Sequence, residues 1–123
     1  MTSRPLPPAG AFAGTLHLFP VRVYFEDTDF SGIVYHARYL HFCERARSDF
    51  MARLGLDQRA VHEGGEGAFA VTRMDCRFVS PARFDDALVV VSRILKSGGA
   101  SFTLRQSIRR DTTPIFEAEV RAA

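Results

Sequence analysis

The order of apolar and polar residues along the chain predicts one strand, one long helix and then four more strands. Residues 15–25 (TLHLFPVRVYF) are rich in β-branched and aromatic residues, which favours a strand that is strongest over residues 21–25. Pro20 interrupts this run and predicts an edge position or a bulge. Residues 37–54 predict a helix, because their apolar residues recur at intervals of three and four and Gly55 can form a left-handed cap at the end.

The second half of the chain alternates between apolar and polar residues with the period of two that is typical of strands. Phe102, Leu104 and Ile108, for example, fall on one face of their segment, and polar side chains fall on the other. The acidic, glycine-rich residues 62–67 predict a linker, since a phosphate-binding loop would precede a helix and a strand follows here. The strands predicted after the helix cover residues 68–79, 88–96, 101–110 and 115–121.

This order of elements predicts an α+β domain in which a five-stranded antiparallel sheet wraps around one long helix. The 123 residues suffice for a single core. We therefore expect a flexible N-terminal tail over residues 1–14 and one domain over residues 15–123. Hydrophobic residues make up 46% of the chain and charged residues 24%, which is typical of globular proteins and excludes a disordered chain.

Charge and cysteine usage narrow the class of function. The formal net charge of +2, from 16 basic and 14 acidic residues, is too balanced to indicate nucleic-acid binding. The two cysteines are isolated, which favours reduced thiols and a cytoplasmic location. The first residues lack the apolar run of a signal peptide, and no run approaches the ~20 apolar residues that a membrane span needs. We expect a cytoplasmic protein with no membrane span and no nucleic-acid partner.

Three carboxylates, Glu26, Asp27 and Asp29, lie between the first strand and the helix. The free N–H groups at the start of a helix favour negative charge, so a carboxylate there can stay ionised beside donors for an oxyanion. Asp29 fits this role because the turn at residues 30–32 (FSG) follows it and can direct its carboxylate into a cleft. The simpler interpretation is that Asp27 and Thr28 form turn hydrogen bonds and that Glu26 is solvated.

Other kinds of site have less support from the sequence. A metal site could use His36, His41 and Glu44, but only His41 and Glu44 share a face of the helix, so we expect no metal. Ser31 lacks the surrounding pattern of a nucleophilic serine. Cys43 falls on the apolar stripe of the helix and is predicted to pack in the core.

Residues 24–50 (YFEDTDFSGIVYHARYLHFCERARSDF) combine an acidic D-x-D turn, a glycine, V-Y-H, a tyrosine and E-R-A-R on the helix. This segment strongly resembles the hot-dog-fold acyl-CoA thioesterases of the YbgC type, which are associated with the Tol-Pal system and related to 4-hydroxybenzoyl-CoA thioesterase. The resemblance extends more weakly from about residue 18 along most of the chain, including residues 77–86 (RFVSPARFDD). It implies hydrolysis of acyl-CoA to a free acid and CoA, with no cofactor, and a hot-dog fold with the strand order 1-3-4-5-2.

The resemblance also implies roles for individual residues. By this resemblance we expect Asp29 to be the catalytic carboxylate, as a nucleophile or as a base on water, and the backbone N–H of His36 to hold the thioester oxygen. The His36 side chain either takes part in the chemistry or orders the start of the helix. Glu44 is the rival carboxylate, because another branch of hot-dog thioesterases uses a helical one. The implied substrate-binding residues are Gly32, Val34, Tyr35, Tyr39, Arg77 and Arg83, and Lys96 and Arg105 are further candidates for contacts with the CoA phosphates.

Relatives of this type form homodimers and often tetramers, with the acyl-CoA at the dimer interface, so we expect a homodimer or a tetramer. Two alternatives to an acyl-CoA thioesterase stay open from the sequence. The first is hydrolysis of acyl groups carried by acyl carrier protein, which would favour a broad basic rim. The second is a non-catalytic acyl-binding or scaffolding protein of an envelope-associated system.

Overall fold

The computed structural model describes residues 4–55 and 69–123, and the predicted linker at residues 62–67 lies outside them. Within the described residues, six strands form one antiparallel sheet in the order β1-β2-β4-β5-β6-β3, and one long helix packs on it. The elements are β1 (Ala11–Ala13), β2 (Leu16–Arg22), α1 (His36–Arg53), β3 (Val71–Phe78), β4 (Ala87–Gly98), β5 (Ser101–Arg110) and β6 (Thr113–Ala122).

The strand order agrees with the prediction, and the strand count differs by one. The five predicted strands correspond to β2, β3, β4, β5 and β6, and the order β2-β4-β5-β6-β3 is the expected 1-3-4-5-2. The additional strand, β1, lies within the segment predicted to be a tail and pairs Ala11–Ala13 with the first residues of β2. Three residues are too few to display an alternation, so this strand has no pattern that the sequence could reveal.

The first predicted strand, residues 15–25, starts at about the right residue but extends too far. β2 ends at Arg22, within the part expected to be strongest, and a 3-10 turn over Phe25–Asp27 begins three residues later. The turn forms because the Asp27 carboxylate accepts a hydrogen bond from the Tyr24 N–H at 2.8 Å. Pro20 pairs opposite Val89 of β4, while β1 covers only Leu16–Leu18 on the other side of β2, so the predicted edge position of the proline is confirmed.

The predicted helix is confirmed to within one residue at each end. α1 buries Tyr39, Phe42, Cys43, Ala46 and Phe50. Gly55 follows the helix with φ +85°, the left-handed conformation expected of its cap. Cys43 is fully buried, and burial raises the pKa of its thiol to about 12, which confirms a packing role.

A buried polar network joins the middle of α1 to the sheet. The Gln106 side chain on β5 donates to the Cys43 carbonyl and to the Ser92 hydroxyl, both at 3.0 Å. Its Oε1 accepts a hydrogen bond from Arg47 at 2.8 Å. These contacts fix α1 over the sheet, and the helix start is thereby held next to the loop at residues 23–35.

Among residues 4–55 and 69–123, no helix combines the length and the apolar composition that a membrane span requires.

Candidate active site

The loop between β2 and α1 is built around Asp27. This side chain is buried, and besides accepting from the Tyr24 N–H it brings Oδ1 to 3.5 Å from Nε of Arg38. The Thr28 hydroxyl donates to a backbone carbonyl of the 3-10 turn at 2.7 Å, and Glu26 is exposed. Asp27 and Thr28 thus form the turn hydrogen bonds of the simpler interpretation, and their side chains are committed to the loop.

Asp29, two residues further on, has an exposed carboxylate. Its Oδ1 accepts hydrogen bonds from the Ser31 hydroxyl at 2.6 Å and from the Ser31 N–H at 2.8 Å. The bond from the hydroxyl, together with the one from the N–H, lowers the pKa of Asp29. Asp29 is therefore ionised at neutral pH, and its Oδ2 receives neither of the Ser31 hydrogen bonds.

The loop folds back on itself, so that Asp29 faces the residues that precede α1. The Asp29 N–H donates to the Ile33 carbonyl at 2.9 Å, and the Gly32 N–H donates to the Asp29 carbonyl at 3.1 Å. Nearer the helix, the Tyr35 N–H donates to the Asp27 carbonyl at 2.8 Å. Gly32 has φ +80°, which other residues adopt only with strain. The chain therefore reverses within a few residues and begins α1 beside the turn.

The first N–H groups of α1 have no cap from the side chain that precedes them. Tyr35 is the N-cap residue, its backbone is extended, and its side chain makes no capping hydrogen bond. The Arg38 N–H donates a hydrogen bond to the Tyr35 carbonyl at 2.8 Å. The N–H groups of His36 and Ala37 come before it and have no acceptor within a helix. They form the positive end of the helix dipole, where a developing negative charge is stabilised.

Aromatic side chains surround the helix start. The ring centroid of His36 lies 4.5 Å from that of Tyr35 and 6.1 Å from that of Phe78 on β3. Phe78 in turn packs against the buried Phe116, at 5.2 Å between ring centroids. Tyr35 and Phe78 are 50% and 52% exposed, so each also offers an apolar face to a ligand.

Two of the residues implied as substrate-binding lie in the core beneath the loop. Val34 is buried, and its N–H donates to the Ala82 carbonyl at 2.9 Å. Tyr39 is buried too, and its hydroxyl accepts the hydrogen bond from the Ala82 N–H at 3.0 Å. Val34 and Tyr39 therefore hydrogen-bond the loop and the first turn of α1 to the segment before β4. Their contact with substrate stays a prediction.

Arg83 lies beside the same loop. It forms an isolated antiparallel bridge with Ile33, and the next residue, Phe84, donates its N–H to the Gly32 carbonyl at 3.3 Å. The Arg83 N–H donates to the Asp86 carboxylate at 2.8 Å, which holds the backbone of this segment. The Arg83 side chain is exposed, so its guanidinium has access to solvent next to the turn.

The other basic candidates are less close to the loop. Arg77 directly precedes Phe78, so its side chain points to the opposite face of the sheet from the aromatic cluster. Arg105 on β5 lies on that outer face and pairs with Glu117 at 3.6 Å. Lys96 lies towards the end of β4, where it pairs opposite Thr103.

Glu44 lies in a different place, a cleft of about 480 Å³ along the middle of α1. His41 and Glu44 both line this cleft, whereas His36 does not, as their spacing on the helix predicts. No three His, Cys, Asp or Glu side chains come together as metal ligands among residues 4–55 and 69–123. The cleft is lined by Phe19, His41, Glu44, Arg45, Ser48 and Asp49.

The carboxylate of Asp49, at the edge of this cleft, connects the hairpin of β1 and β2 to α1 by hydrogen bonds. Its Oδ2 lies 2.7 Å from Nε2 of the fully buried His17 and accepts the Gly10 N–H bond at 2.9 Å. The His17 ring packs against Phe12 and Phe50. A Cβ on Gly10 would lie 2.7 Å from the His17 Nε2, so glycine is required there. Asp49 therefore has a structural role.

Two residues of the site were missed from the sequence. Ser31 was considered only as a nucleophile, and the structure makes it the donor to Asp29. An aspartate followed two positions later by a serine favours such a turn, so a local signal existed. Phe78 comes to His36 from a distant strand, and no local pattern could have revealed that contact.

The chain is similar to known proteins of one superfamily. The family model of the thioesterase superfamily matches residues 31–116. The acyl-CoA thioesterase YbgC of Haemophilus influenzae is 41% identical over 105 residues, which cover 85% of this chain and 77% of that protein.

Solved structures with the same architecture include several thioesterases. A "Probable Thioesterase" from Bartonella henselae has a TM-score of 0.83 and 41% identity, and the match covers 88% of this chain and 90% of that chain. The 4-hydroxybenzoyl CoA thioesterase from Pseudomonas sp. strain CBS-3 has a TM-score of 0.81 and 25% identity, with 89% and 84% covered. The predicted hot-dog fold is confirmed.

Proposed function

Because this chain belongs to the thioesterase superfamily, in the family of the YbgC acyl-CoA thioesterases, we propose that it hydrolyses acyl-CoA to a free acid and CoA with Asp29 as the catalytic carboxylate. The family makes it a thioester hydrolase. The observation that carries the role of Asp29 is its exposed, ionised carboxylate in the loop that ends at the uncapped start of α1.

The helix start supplies the electrostatic part of the proposed reaction. Attack on a thioester carbonyl places negative charge on its oxygen, and preorganised N–H donors lower that barrier, with one such donor contributing ~3 kcal/mol in other enzymes. We assign this role to the His36 N–H, because it is the first N–H of α1 and has no acceptor within the helix. The His36 ring, which packs against Tyr35 and Phe78, then serves to order the helix start.

Asp29 can act by either of two routes. As a nucleophile, it forms a bond from a carboxylate oxygen to the acyl carbon, the C–S bond breaks, and the CoA thiolate leaves. Water then hydrolyses the mixed anhydride and regenerates the carboxylate. As a general base, Asp29 takes a proton from water while the water oxygen attacks the acyl carbon; the C–S bond then breaks, and the proton held by Asp29 passes to the CoA thiolate. Both routes require the ionised carboxylate, and the low pKa of Asp29 supplies it.

The surroundings of Asp29 suit an acyl-CoA. The half-exposed rings of Tyr35 and Phe78 offer an apolar wall for the acyl group beside the helix start. Gly32 has no side chain to obstruct the approach of a thioester to the turn. We assign the exposed Arg83 to the CoA phosphates because its backbone is bridged to the catalytic loop, and Arg77 to a more distant contact.

The position of Glu44 favours Asp29 as the catalytic group. Glu44 is in the middle of α1, where backbone N–H groups are used by the hydrogen bonds of the helix itself. Its cleft therefore lacks backbone donors for an oxyanion on the helix side, whereas Asp29 precedes the helix start.

We also propose that the protein is a homodimer, or a tetramer made of two dimers. β3 is an edge strand that pairs only with β6 among the described strands, and every residue of it except Met74 is exposed. A long unpaired edge favours pairing with another strand, and a second copy of β3 is a suitable partner. Phe78 lies at the end of β3, so the same pairing would bring the second copy close to His36.

Acyl-CoA is favoured over acyl carrier protein as the substrate. An acidic carrier protein would need a broad basic rim, but Arg105 and Arg73 on the sheet are already paired with Glu117 and Asp75. The oriented carboxylate of Asp29 favours an enzyme over a non-catalytic acyl-binding or scaffolding protein.

The proposed location of the protein is the cytoplasm. This agrees with the free thiols of Cys43 and Cys76.

The test is free-thiol release from short, long and aromatic acyl-CoAs, with the wild type and Asp29→Asn at equal concentrations of folded protein. We expect the wild type to turn over at least one class and the variant to lose at least ~100-fold in kcat with the same oligomeric state. No release from any substrate, although an acyl-CoA raises the Tm of the protein, would instead establish the binding protein.

A further inference from the structure

We propose that Ser31 is the positioning residue for Asp29, because it holds Oδ1 and leaves Oδ2 as the oxygen that acts on the thioester or on water. This inference rests on the proposed role of Asp29 and specifies how the chain orients that carboxylate.

Both polar hydrogens of Ser31 are directed at one oxygen. Its hydroxyl donates to Oδ1 of Asp29 at 2.6 Å and its N–H donates to the same atom at 2.8 Å. A distance of 2.6 Å is in the range of charge-assisted O–H···O⁻ bonds, which are stronger than neutral ones. Two donors on one oxygen fix the orientation of the carboxylate plane. They also favour the ionised form of the group.

The backbone on either side of this contact is already fixed. The N–H of Asp29 and that of Gly32 are used within the loop, and Gly32 has φ +80°. The rotation of the Asp29 side chain is thus the freedom that remains, and Ser31 removes it. The ordering matters because the site of Asp29 is otherwise exposed, and an exposed side chain changes rotamer within nanoseconds.

The arrangement divides the work between the two carboxylate oxygens. Oδ1 accepts both Ser31 hydrogen bonds, and we assign the reaction with the acyl carbon or with a water proton to Oδ2, which receives neither of them. Removal of the Ser31 hydroxyl takes away a donor that favours the ionised form, so the pKa of Asp29 rises. A reaction that needs the carboxylate then loses its rate at a higher pH.

The test compares Ser31→Ala, Ser31→Thr and the control Ser48→Ala, which removes an exposed hydroxyl from α1 away from the loop. The measurements are kcat, KM and the acid limb of kcat/KM against pH, with the substrate preferred by the wild type. For Ser31→Ala we expect kcat to fall roughly 10-fold with KM within about twofold. We expect its acid limb to move up by at least ~0.5 pH unit. Threonine should restore both values, and Ser48→Ala should match the wild type.

The results that would overturn the proposal are distinct from a failure of the proposed function. If Asp29→Asn abolishes turnover but Ser31→Ala has the wild-type kcat and acid limb, Ser31 does not position Asp29. An equal loss in Ser31→Ala and Ser31→Thr, without movement of the acid limb, would make Ser31 a structural residue and also overturn the proposal. If Asp29→Asn retains turnover, the role of Asp29 itself is wrong.

Discussion

Two regions of the molecule place a pair of carboxylates beside α1, and they differ in what surrounds the exposed member of each pair. In the loop before the helix, Asp27 is used by structural contacts and Asp29 is exposed. In the cleft along the helix, Asp49 is used by structural contacts and Glu44 is exposed. Both regions therefore have one carboxylate that maintains the fold and one that is available.

The difference lies in the donors. Asp29 is oriented by Ser31 and precedes the open N–H groups of the helix start. Glu44 projects from the middle of the helix, where the backbone N–H groups are already bonded to carbonyls four residues earlier. A carboxylate alone does not make a site for thioester hydrolysis. The oxyanion also needs hydrogen-bond donors that are not already bonded to another acceptor.

The largest effect on stability should come from the loop pair. Asp27→Ala leaves the Tyr24 N–H and the Arg38 guanidinium without their buried acceptor, so we expect a loss of about 2–3 kcal/mol in the free energy of unfolding. Asp29→Ala removes a side chain whose hydrogen bonds to Ser31 are exposed to solvent, so it should lower the urea midpoint much less than Asp27→Ala does. Urea denaturation of both variants measures the contrast, and equal midpoints would show that Asp27 does not hold the loop.

A smaller loss is expected at the cleft. Asp49→Ala removes the acceptor of the Gly10 N–H and of the buried His17 ring, which should cost about 1–2 kcal/mol. Thioester turnover at 25 °C should stay within about twofold of the wild type, because the loop before α1 is not involved. A large fall in kcat with an unchanged midpoint would mean that the cleft, and not the loop, carries the chemistry.

An element of the fold could be predicted correctly where residues of its own segment determine its bounds. It could not be predicted where a side chain outside the segment determines them. The bounds of α1 follow from the spacing of its own apolar residues, and Gly55 marks its end within the same segment. The end of β2 was predicted wrongly because it is set by the Asp27 side chain, which competes with the strand for the Tyr24 N–H. Such competition depends on geometry that the alternation of residues does not record.

The same division applies to the site. Asp29 and the helix start are neighbours in sequence, so the turn pattern and the family resemblance could indicate both. Arg47 and Gln106 are 59 positions apart, and nothing near either residue shows that they meet. Gln106 also occupies an inward-facing position among apolar residues, where a polar side chain is satisfied only by partners from α1 and β4.

The most direct test of the central claim is kcat for Asp29→Asn measured beside Glu44→Gln, with one acyl-CoA and equal concentrations of folded protein. Both substitutions remove one exposed carboxylate with little change in size. We predict a loss of at least ~100-fold for Asp29→Asn and a change within about twofold for Glu44→Gln. Retained turnover in Asp29→Asn with loss in Glu44→Gln would contradict the claim and move the active site to the cleft along α1.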